Sequence, residues 1–162
     1  MAIPTASPTL WQPWPIPALA EMDGRAGPRR LHVEKWRMLD HIILSVSDLA
    51  RSVTFYEKAL APLGISHNID FEGENGHPDL IGFGLEGNAF FWLKTGVPSA
   101  PAVHFAFKAE SREEVDTFYS AALSAGAQDN ISPRVRTEYD PMYYAADILD
   151  PDGYSVEVVI KH

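Results

Sequence analysis

The sequence predicts an α+β protein in which two tandem βαβββ modules form a curved, partly open eight-stranded barrel with the helices outside. Two observations carry this prediction. Strand-like and helix-like hydrophobic patterns follow one another in the order β-α-β-β-β, and that order occurs twice after residue 38. Identical residues also recur at an offset of 63 positions, so that His41 matches His104 and Thr54-Phe55-Tyr56 matches Thr117-Phe118-Tyr119. A shared pattern at a fixed offset indicates a duplicated unit.

The first 38 residues have a composition of their own. They hold six of the 13 prolines and three of the four tryptophans, and their net charge is +2, whereas the rest of the chain carries −11. Proline removes backbone donors and disfavours helices and central strands. We therefore expect residues 1–38 to form an extended, flexible N-terminal arm and residues 39–162 to form one folded domain. A second interpretation is that Met38 is the biological start, because the periodic pattern begins directly after it.

The first module is expected to cover residues 39–97. Its opening strand alternates between polar and apolar residues from position 40 to position 46. The helix that follows has apolar residues at steps of three and four, with Asp48 as its N-cap and Gly64 at its end. Three strands are then expected, separated by glycine, proline and asparagine, at residues 65–71, 80–85 and 89–93.

The second module is expected to cover residues 101–162 and to repeat this order. Its strand begins around His104, and its helix opens with Ser111 and Glu114, which have the spacing of a capping box. Asp150-Pro151-Asp152-Gly153 predicts a tight turn before the final strand. The three strands after the helix are expected near residues 128–135, 143–149 and 155–161.

The composition excludes several kinds of function. A net charge of −9 disfavours binding to nucleic acid or to an anionic membrane surface, since both need clustered cations. The absence of cysteine excludes disulfides, thiolate metal sites and cysteine nucleophiles. No apolar run has the length of about 18 residues that a membrane-spanning helix needs, and the N-terminus lacks the features of a secretory signal. We expect a cytoplasmic protein whose partner is a small molecule.

Three candidate metal ligands fall on one face of the predicted sheets. Successive side chains of a strand alternate between its two faces, so His41, His104 and Glu157 each lie opposite the apolar residues of their strands. The apolar faces are expected to pack under the helices, which leaves these three residues on the concave side. A lone histidine in a strand is more often a hydrogen-bonded structural residue, but here both histidines occupy the same place in the repeat. Two imidazoles and one carboxylate are typical of a divalent metal site.

These motifs resemble those of the vicinal oxygen chelate superfamily, which includes glyoxalase I, fosfomycin-resistance enzymes, extradiol dioxygenases and bleomycin-binding proteins. The resemblance covers residues 39–161 and rests on Asp40-His41-Ile42, Val103-His104-Phe105 and the Asp-Pro-Asp-Gly turn leading to Val156-Glu157. It implies paired βαβββ modules around a divalent metal held by His41, His104 and Glu157. Aligning Gly87 with Gly153 places Phe91 opposite Glu157, and phenylalanine cannot bind a metal. The four-ligand activity of glyoxalase I is therefore not expected.

The three-ligand site suits Fe, Mn, Zn or Ni and does not choose among them. It leaves positions for a substrate that chelates the metal through adjacent oxygens, and the metal would act as a Lewis acid in a lyase, isomerase or dioxygenase reaction. Tyr143 and Tyr144 are the candidates for proton transfer, and only one of them is expected to reach the site because they point to opposite faces. The candidate substrate-binding residues are Phe91, Trp92, Arg134, Arg136 and Tyr139.

Two alternatives stay open at this point. The first is a non-catalytic protein that binds a small molecule, similar to the bleomycin-binding proteins, in which the two modules frame a hydrophobic cleft. The intact His/His/Glu set favours the enzyme over this binder. The second concerns assembly, since members of the resembled superfamily often pair modules across a dimer. A homodimer is therefore expected, with the metal site formed within one subunit or between two.

Overall fold

The computed structural model describes residues 39–161, and the expected N-terminal arm lies outside the described residues. The first module contains β1 Ile42–Val46, α1 Leu49–Leu60, β2 Ser66–Phe71, β3 Leu80–Leu85 and β4 Asn88–Thr95. The second module contains β5 His104–Lys108, α2 Arg112–Ser124, β6 Gln128–Val135, β7 Tyr143–Leu149 and β8 Ser155–Lys161. Short 3-10 turns follow α1 and precede β5, at Ala61–Leu63 and Ala100–Ala102. Each module therefore has the predicted β-α-β-β-β order.

The strands pair into two four-stranded mixed sheets, one for each module. The order is β1-β4-β3-β2 in the first sheet and β5-β8-β7-β6 in the second, so the two topologies are the same. β1 runs parallel to β4 and β5 runs parallel to β8, whereas the other neighbours are antiparallel. Within residues 39–161 the sheets do not close into a barrel, which agrees with the partly open arrangement. The predicted fold class is confirmed.

Both helices begin at side-chain caps that the sequence predicted. Asp48 accepts a hydrogen bond from the backbone N–H of Arg51 at 3.0 Å, and Ser111 accepts one from the N–H of Glu114 at 3.1 Å. Such caps satisfy backbone donors that have no partner inside the helix. α1 and α2 contact each other, and each packs on its own sheet. Among residues 39–161, neither helix is long and apolar enough to cross a membrane.

The helices and the inner faces of both sheets share one hydrophobic core. Phe91 of β4 joins the two modules there, because its ring lies 4.7 Å from the ring of Tyr56 on α1 and 5.6 Å from that of Phe105 on β5. Phe91 and Tyr56 have no solvent exposure. Complete burial of a side chain of this size contributes roughly 1.5–3 kcal/mol to stability. Aromatic packing is therefore the first link between the modules.

The Asp-Pro-Asp-Gly turn provides a second, polar link. The hydroxyl of Tyr56 donates to Oδ2 of Asp150 at 2.7 Å, and the hydroxyl of Tyr154 donates to the carbonyl of Ser45 at 2.8 Å. Oδ1 of Asp150 accepts from the backbone N–H groups of Asp152 and Tyr154 at 2.9 and 2.8 Å. A buried carboxylate needs hydrogen bonds of this kind to offset its lost hydration. The turn predicted from the sequence thus holds α1 and β1 of the other module.

The second aspartate of the turn, Asp152, also contacts the first module. Asp152 accepts from the backbone N–H of Ser47 at 3.0 Å and from the guanidinium of Arg51 at 2.6 Å. The same guanidinium donates to the hydroxyl of Ser47 at 3.0 Å. The side chain of Asp152 is 4% exposed and that of Arg51 is 45% exposed, so the pair lies at the edge of the interface between modules.

Candidate functional site

Three polar side chains come together on the open face of the second sheet. His104 begins β5, Asp147 lies in β7 and Glu157 lies in β8. Asp147 is directly opposite Glu157 in the β7–β8 ladder, and His104 is opposite Ser155 in the β5–β8 ladder. Paired residues and alternate residues of a strand share a face, so these positions all point away from the core. His104 and Glu157 are two of the candidate metal ligands predicted from the sequence, and Asp147 is an addition.

The distances within this group suit a metal ion. Nε2 of His104 lies 3.4 Å from Oε2 of Glu157, and one candidate ligand atom from each of His104, Asp147 and Glu157 lies within 4.8 Å of the other two. The side chains of Glu157 and Asp147 are 5% and 7% exposed, whereas that of His104 is 52% exposed. Within residues 39–161 neither carboxylate forms an ion pair with lysine or arginine. Buried carboxylates beside an imidazole are donors that fit a divalent cation, which would supply the compensating charge.

Tyr143 is bonded directly to the carboxylate of Glu157. Its hydroxyl donates to Oε1 of Glu157 at 2.5 Å. Burial raises the pKa of Tyr143 to about 12, and the hydrogen bond and negative charge of Glu157 act in the same direction. Tyr144 lies on the other face, where its hydroxyl donates to Asp116 on α2 at 2.7 Å. The structure therefore brings Tyr143 to the group and places Tyr144 against the helix.

A cavity of about 760 Å³ opens above these residues. Among the described residues its lining comes from the second module and consists of His104, Tyr139, Asp140, Met142, Tyr143, Glu157 and Lys161. The ring of Tyr139 lies 5.2 Å from that of Tyr143, and Nζ of Lys161 lies 4.9 Å from the centre of the Tyr143 ring. The cavity thus combines an aromatic wall with one exposed cation.

The two arginines named from the sequence differ in their surroundings. Arg136 is 8% exposed, and its Nε donates to Glu138 at 2.5 Å. The hydrogen bond to Glu138 raises the pKa of Arg136, with smaller contributions in that direction from neighbouring groups that include Glu157. Its guanidinium also donates to the hydroxyl of Tyr139 at 3.3 Å. Arg134 is exposed, and neither arginine is among the residues that line the cavity.

His41 stands apart from this group in a single chain. It lies directly before β1, as its place in the repeat requires, and its Nδ1 is 2.7 Å from Oδ1 of Asp40. Its side chain is 50% exposed. The group of candidate ligands found within residues 39–161 consists of His104, Asp147 and Glu157 and does not include His41. Two of the three ligands named from the sequence are therefore adjacent, and the third is elsewhere on the surface.

The expected match between Phe91 and Glu157 is wrong by one residue. In the β1–β4 ladder Trp92 is opposite Ile43, as Glu157 is opposite Ala106 in the β5–β8 ladder. Trp92 therefore occupies the position equivalent to Glu157, and the fully buried Phe91 belongs to the core, where it cannot line a substrate pocket. Tryptophan does not bind a divalent metal through its side chain, so the first sheet still lacks the fourth ligand.

Sequence reasoning missed Asp147, Ser155 and Lys161. Asp147 carried a usable signal, because it is the one charged residue inside the apolar strand 143–149. A charge in a buried strand requires a partner, and period-two alternation places Asp147 on the same face as Tyr143. Ser155 and Lys161 share the face of Glu157 on β8 by the same alternation. Both residues are polar neighbours of Glu157 on β8. Only the pairing of the strands brings Ser155 into contact with His104 and Lys161 into contact with Tyr143.

Two solved structures illustrate the similarity of this fold to known proteins. A glyoxalase/bleomycin resistance protein from Albidiferax ferrireducens is 25% identical, with 75% of this chain and 97% of that chain covered at a TM-score of 0.57. A mutant of FosX, a fosfomycin resistance protein from Listeria monocytogenes, is 20% identical, with 76% and 91% covered at 0.55. That FosX structure is a complex with Mn(II) and 1S,2S-dihydroxypropylphosphonic acid. At 20% identity the likeness to FosX shows the fold alone.

The family assignment rests on the sequence as a whole. No protein with a curated description matches this chain. The family model described as the Glyoxalase/Bleomycin resistance protein/Dioxygenase superfamily matches residues 38–158, which is well over half of the sequence. This confirms the resemblance drawn from the motifs, and the chain belongs to the glyoxalase/bleomycin resistance protein/dioxygenase superfamily, that of the vicinal oxygen chelate proteins.

Proposed function

We propose that this protein is a divalent-metal-dependent enzyme that acts, as a lyase, isomerase or dioxygenase, on a small substrate with adjacent oxygen atoms. The observation that carries the proposal is the pair formed by Nε2 of His104 and Oε2 of Glu157, 3.4 Å apart at the base of an open cavity. A carboxylate that is 5% exposed beside a half-exposed imidazole is a costly arrangement unless a cation compensates it. Family membership supports the same conclusion.

His104 and Glu157 would hold the metal from one chain, and we propose that His41 of a second copy supplies the other imidazole. Every residue that lines the cavity belongs to the second module, so the open face of the first module is not used by this cavity within one chain. His41 is half-exposed and lies directly before β1, at the place in the repeat that His104 holds at the start of β5. A two-fold dimer would create two equivalent sites of this composition.

When bound, the metal ion would supply Lewis acidity toward two adjacent substrate oxygens. Tyr143 keeps its proton at neutral pH because burial and the neighbouring Glu157 raise its pKa to about 12. It therefore acts as a hydrogen-bond donor at the cavity wall, where its one hydroxyl proton orients Glu157 and its oxygen can accept from a substrate hydroxyl. We assign no proton-transfer role to Tyr144, since its hydroxyl is bonded to Asp116 on α2.

The cation in the lining favours a substrate that carries an acidic group. Lys161 extends over the ring of Tyr143 into the cavity, whereas Arg136 is bonded to Glu138 and Tyr139 and is not among the lining residues. Lys161 would bind an acidic group of the substrate, while the ring of Tyr139 would cover its apolar part. Trp92, on the open face of the first sheet, would reach this cavity only from a second copy.

Metal analysis is the first test. Untagged protein purified without chelator should retain close to one divalent ion per chain, and titration of the metal-free protein with Mn(II), Fe(II), Zn(II) and Ni(II) should identify the preferred ion. Glu157→Gln and His104→Ala should each lower the affinity strongly. Glu72→Gln, which alters an exposed glutamate outside the cavity, should leave the affinity unchanged. Sub-stoichiometric metal and an unchanged affinity in Glu157→Gln would refute the enzyme and leave the non-catalytic binder.

A mixing experiment tests the shared site. A homodimer of His41→Ala and a homodimer of Glu157→Gln should each fail to bind metal, because both sites of either dimer then lack one ligand. In a mixed dimer one of the two sites regains all three ligands, so an equal mixture should recover about a quarter of the wild-type metal capacity. Absence of any recovery after verified subunit exchange would place the whole site within one chain. A reaction screen against catechols and α-oxo thiohemiacetals, with each metal added back, then defines the reaction.

A further inference from the structure

A chain of hydrogen bonds runs from the outer edge of the candidate ligand His104 to a buried carboxylate. Nδ1 of His104 lies 2.7 Å from Oγ of Ser155. Oγ of Ser155 in turn lies 3.0 Å from Oδ1 and 2.9 Å from Oδ2 of Asp147. Oδ2 of Asp147 also accepts from Nδ2 of Asn130 at 3.0 Å. The members of this chain lie on different strands and meet only in the folded sheet.

The direction of each hydrogen bond follows from the available protons. An ionised carboxylate only accepts, so the single hydroxyl proton of Ser155 is directed to Asp147. Oγ of Ser155 is then left as an acceptor toward His104, which must donate from Nδ1. A neutral imidazole with its proton on Nδ1 carries its free lone pair on Nε2. That lone pair is the one directed to Oε2 of Glu157 at 3.4 Å.

We propose that Ser155 and Asp147 are positioning residues that fix His104 as its Nδ1–H tautomer and so direct the Nε2 lone pair toward the position between His104 and Glu157. This inference rests on the proposed metal-binding function and adds the residues that prepare one ligand for it. Asp147 acts through Ser155, because both of its oxygens already accept from neighbouring donors. Hydrogen-bond partners of a metal-binding imidazole orient the ring and typically affect metal affinity by about 10- to 100-fold.

The chain of hydrogen bonds from His104 through Ser155 to Asp147, called the relay below, explains why two atoms with free lone pairs face each other in this site. Oε1 of Glu157 accepts the proton of Tyr143, and Nδ1 of His104 donates to Ser155, so Oε2 and Nε2 are left facing each other without a donor between them. Two such atoms repel unless a proton or a metal cation lies between them. Hydrogen bonds to neighbouring residues thus hold both His104 and Glu157 in place. They occupy Nδ1 and Oε1 and leave Nε2 and Oε2 free toward the cavity.

The test combines three substitutions at or near the relay. Ser155→Ala removes the bridging hydroxyl, Ser155→Thr keeps it, and Ser124→Ala removes an exposed hydroxyl that bonds only a helical backbone carbonyl. Metal affinity is measured by competition with a chelator, using Mn(II) and Zn(II) as the probes. Ser155→Ala should weaken binding about 10- to 100-fold, while Ser155→Thr and Ser124→Ala stay near the wild type. Equal affinities in Ser155→Ala and Ser124→Ala would overturn the proposal.

A second measurement does not depend on the metal. Nitrogen-15 spectra of the metal-free protein, with the His104 signals assigned through His104→Gln, report which ring nitrogen carries the proton. The wild type and Ser155→Thr should show the Nδ1–H form, and Ser155→Ala should shift toward the Nε2–H form that predominates in free imidazole side chains. A Ser155→Ala spectrum identical to the wild type would overturn the relay. A wild type that binds no metal but shows the expected spectra would refute the metal site and support the relay.

Discussion

The buried hydrogen bond between Tyr56 and Asp150 provides the most direct test of how the two modules are joined. Replacing Tyr56 with phenylalanine removes only the hydroxyl that donates to Oδ2 of Asp150 at 2.7 Å. The ring keeps its packing against Phe55 and Phe91, at 4.9 and 4.7 Å between centroids, so no cavity is created around it. The substitution therefore isolates one polar contact between α1 and the turn of the other module.

The expected loss of stability follows from what the substitution leaves behind. A buried acceptor without its donor costs about 1–3 kcal/mol, and more when the acceptor is charged. Asp150 is 3% exposed, so water cannot readily replace the lost hydroxyl. Its Oδ1 keeps the two backbone donors of Asp152 and Tyr154, which limits the effect. We expect Tyr56→Phe to lower the free energy of unfolding by about 2–3 kcal/mol at neutral pH.

The effect should depend on pH in a defined direction. Burial raises the pKa of Asp150 above its ordinary value, although the hydrogen bond from Tyr56 acts to lower it. Without that bond the pKa of Asp150 rises further. A carboxyl whose pKa is higher in the folded protein contributes stability that is fully present below its unfolded pKa of about 3.9 and is lost as the pH rises through its folded pKa. The difference between wild type and Tyr56→Phe should therefore be largest at neutral pH and shrink as the pH falls toward about 4.

Urea denaturation at several pH values measures this difference. Tyr144→Phe is the matched control, because Tyr144 also donates to an aspartate at 2.7 Å but does so at an exposed position. That control should cost well under 1 kcal/mol, as solvent replaces the lost partner, so roughly 0.5 kcal/mol or less is expected. Equal losses in Tyr56→Phe and Tyr144→Phe, or a loss in Tyr56→Phe that grows on acidification, would show that Asp150 does not depend on Tyr56 in the way described.

Three further outcomes follow from the same structure. Arg51→Ala should lower the free energy of unfolding by about 0.5–1 kcal/mol at low salt and by less at 1 M salt, as urea titrations would show, because its ion pair is partly exposed. Gly84→Ala should destabilise the β3–β4 hairpin by more than about 2 kcal/mol in thermal unfolding, since a Cβ there would overlap the backbone carbonyl of Asn88. A melting temperature equal to that of the wild type would contradict this. In the metal-free protein an ultraviolet titration should give Tyr143 a pKa of about 12. Glu157→Gln should lower this pKa toward the ordinary value of tyrosine, because it removes a negative charge that raises the pKa.

The sequence alone was sufficient for the architecture because the pattern that specifies it is periodic and repeated. The 63-residue offset predicts that His41 and His104 occupy equivalent positions, and both lie at the start of the first strand of their modules. Caps at Asp48 and Ser111 bond as their spacing indicated. Each of these features depends on residues close together in the chain, so local propensity and tertiary structure agree.

The register of β4 was predicted incorrectly for a physical reason. Aligning one glycine with another assumes that both glycines hold the same place between the paired positions of their hairpins. β3 and β4 are joined by Glu86 and Gly87 alone, with φ angles of 50° and 80°, which is a two-residue turn with positive φ at both positions. β7 and β8 are joined by the longer turn at residues 150–154. The equivalent paired positions are ten residues apart in both hairpins, Gly82–Trp92 and Asp147–Glu157, but Gly87 lies five residues before Trp92 and Gly153 four before Glu157. An irregularity in the β3–β4 pairing between Phe83 and Gly84 allows the shorter turn, and an error of one residue moves every side chain to the other face.

The position of His41 relative to the other candidate ligands could not be predicted from the periodicity of the strands. Alternation along a strand predicts on which face of its own sheet a side chain lies. It does not predict how the open face of one sheet is placed relative to the open face of the other. That is decided by contacts between modules, such as Tyr154 with Ser45 and Phe91 with Phe105, which join residues distant in sequence. The relay from His104 through Ser155 was missed for the same reason.

The two modules keep one backbone register and differ in what they place on it. In the second sheet the paired positions facing the cavity are Asp147 and Glu157, and the equivalent pair in the first sheet is Gly82 and Trp92. A Cβ at Gly82 would lie 2.7 Å from the Trp92 ring, so the glycine is what allows the indole to lie flat on the sheet. One face therefore presents buried carboxylates and the other an aromatic surface. If the faces of two copies meet as proposed, the metal and the acidic group of the substrate would bind to one wall, and the apolar part of the substrate would lie against the other.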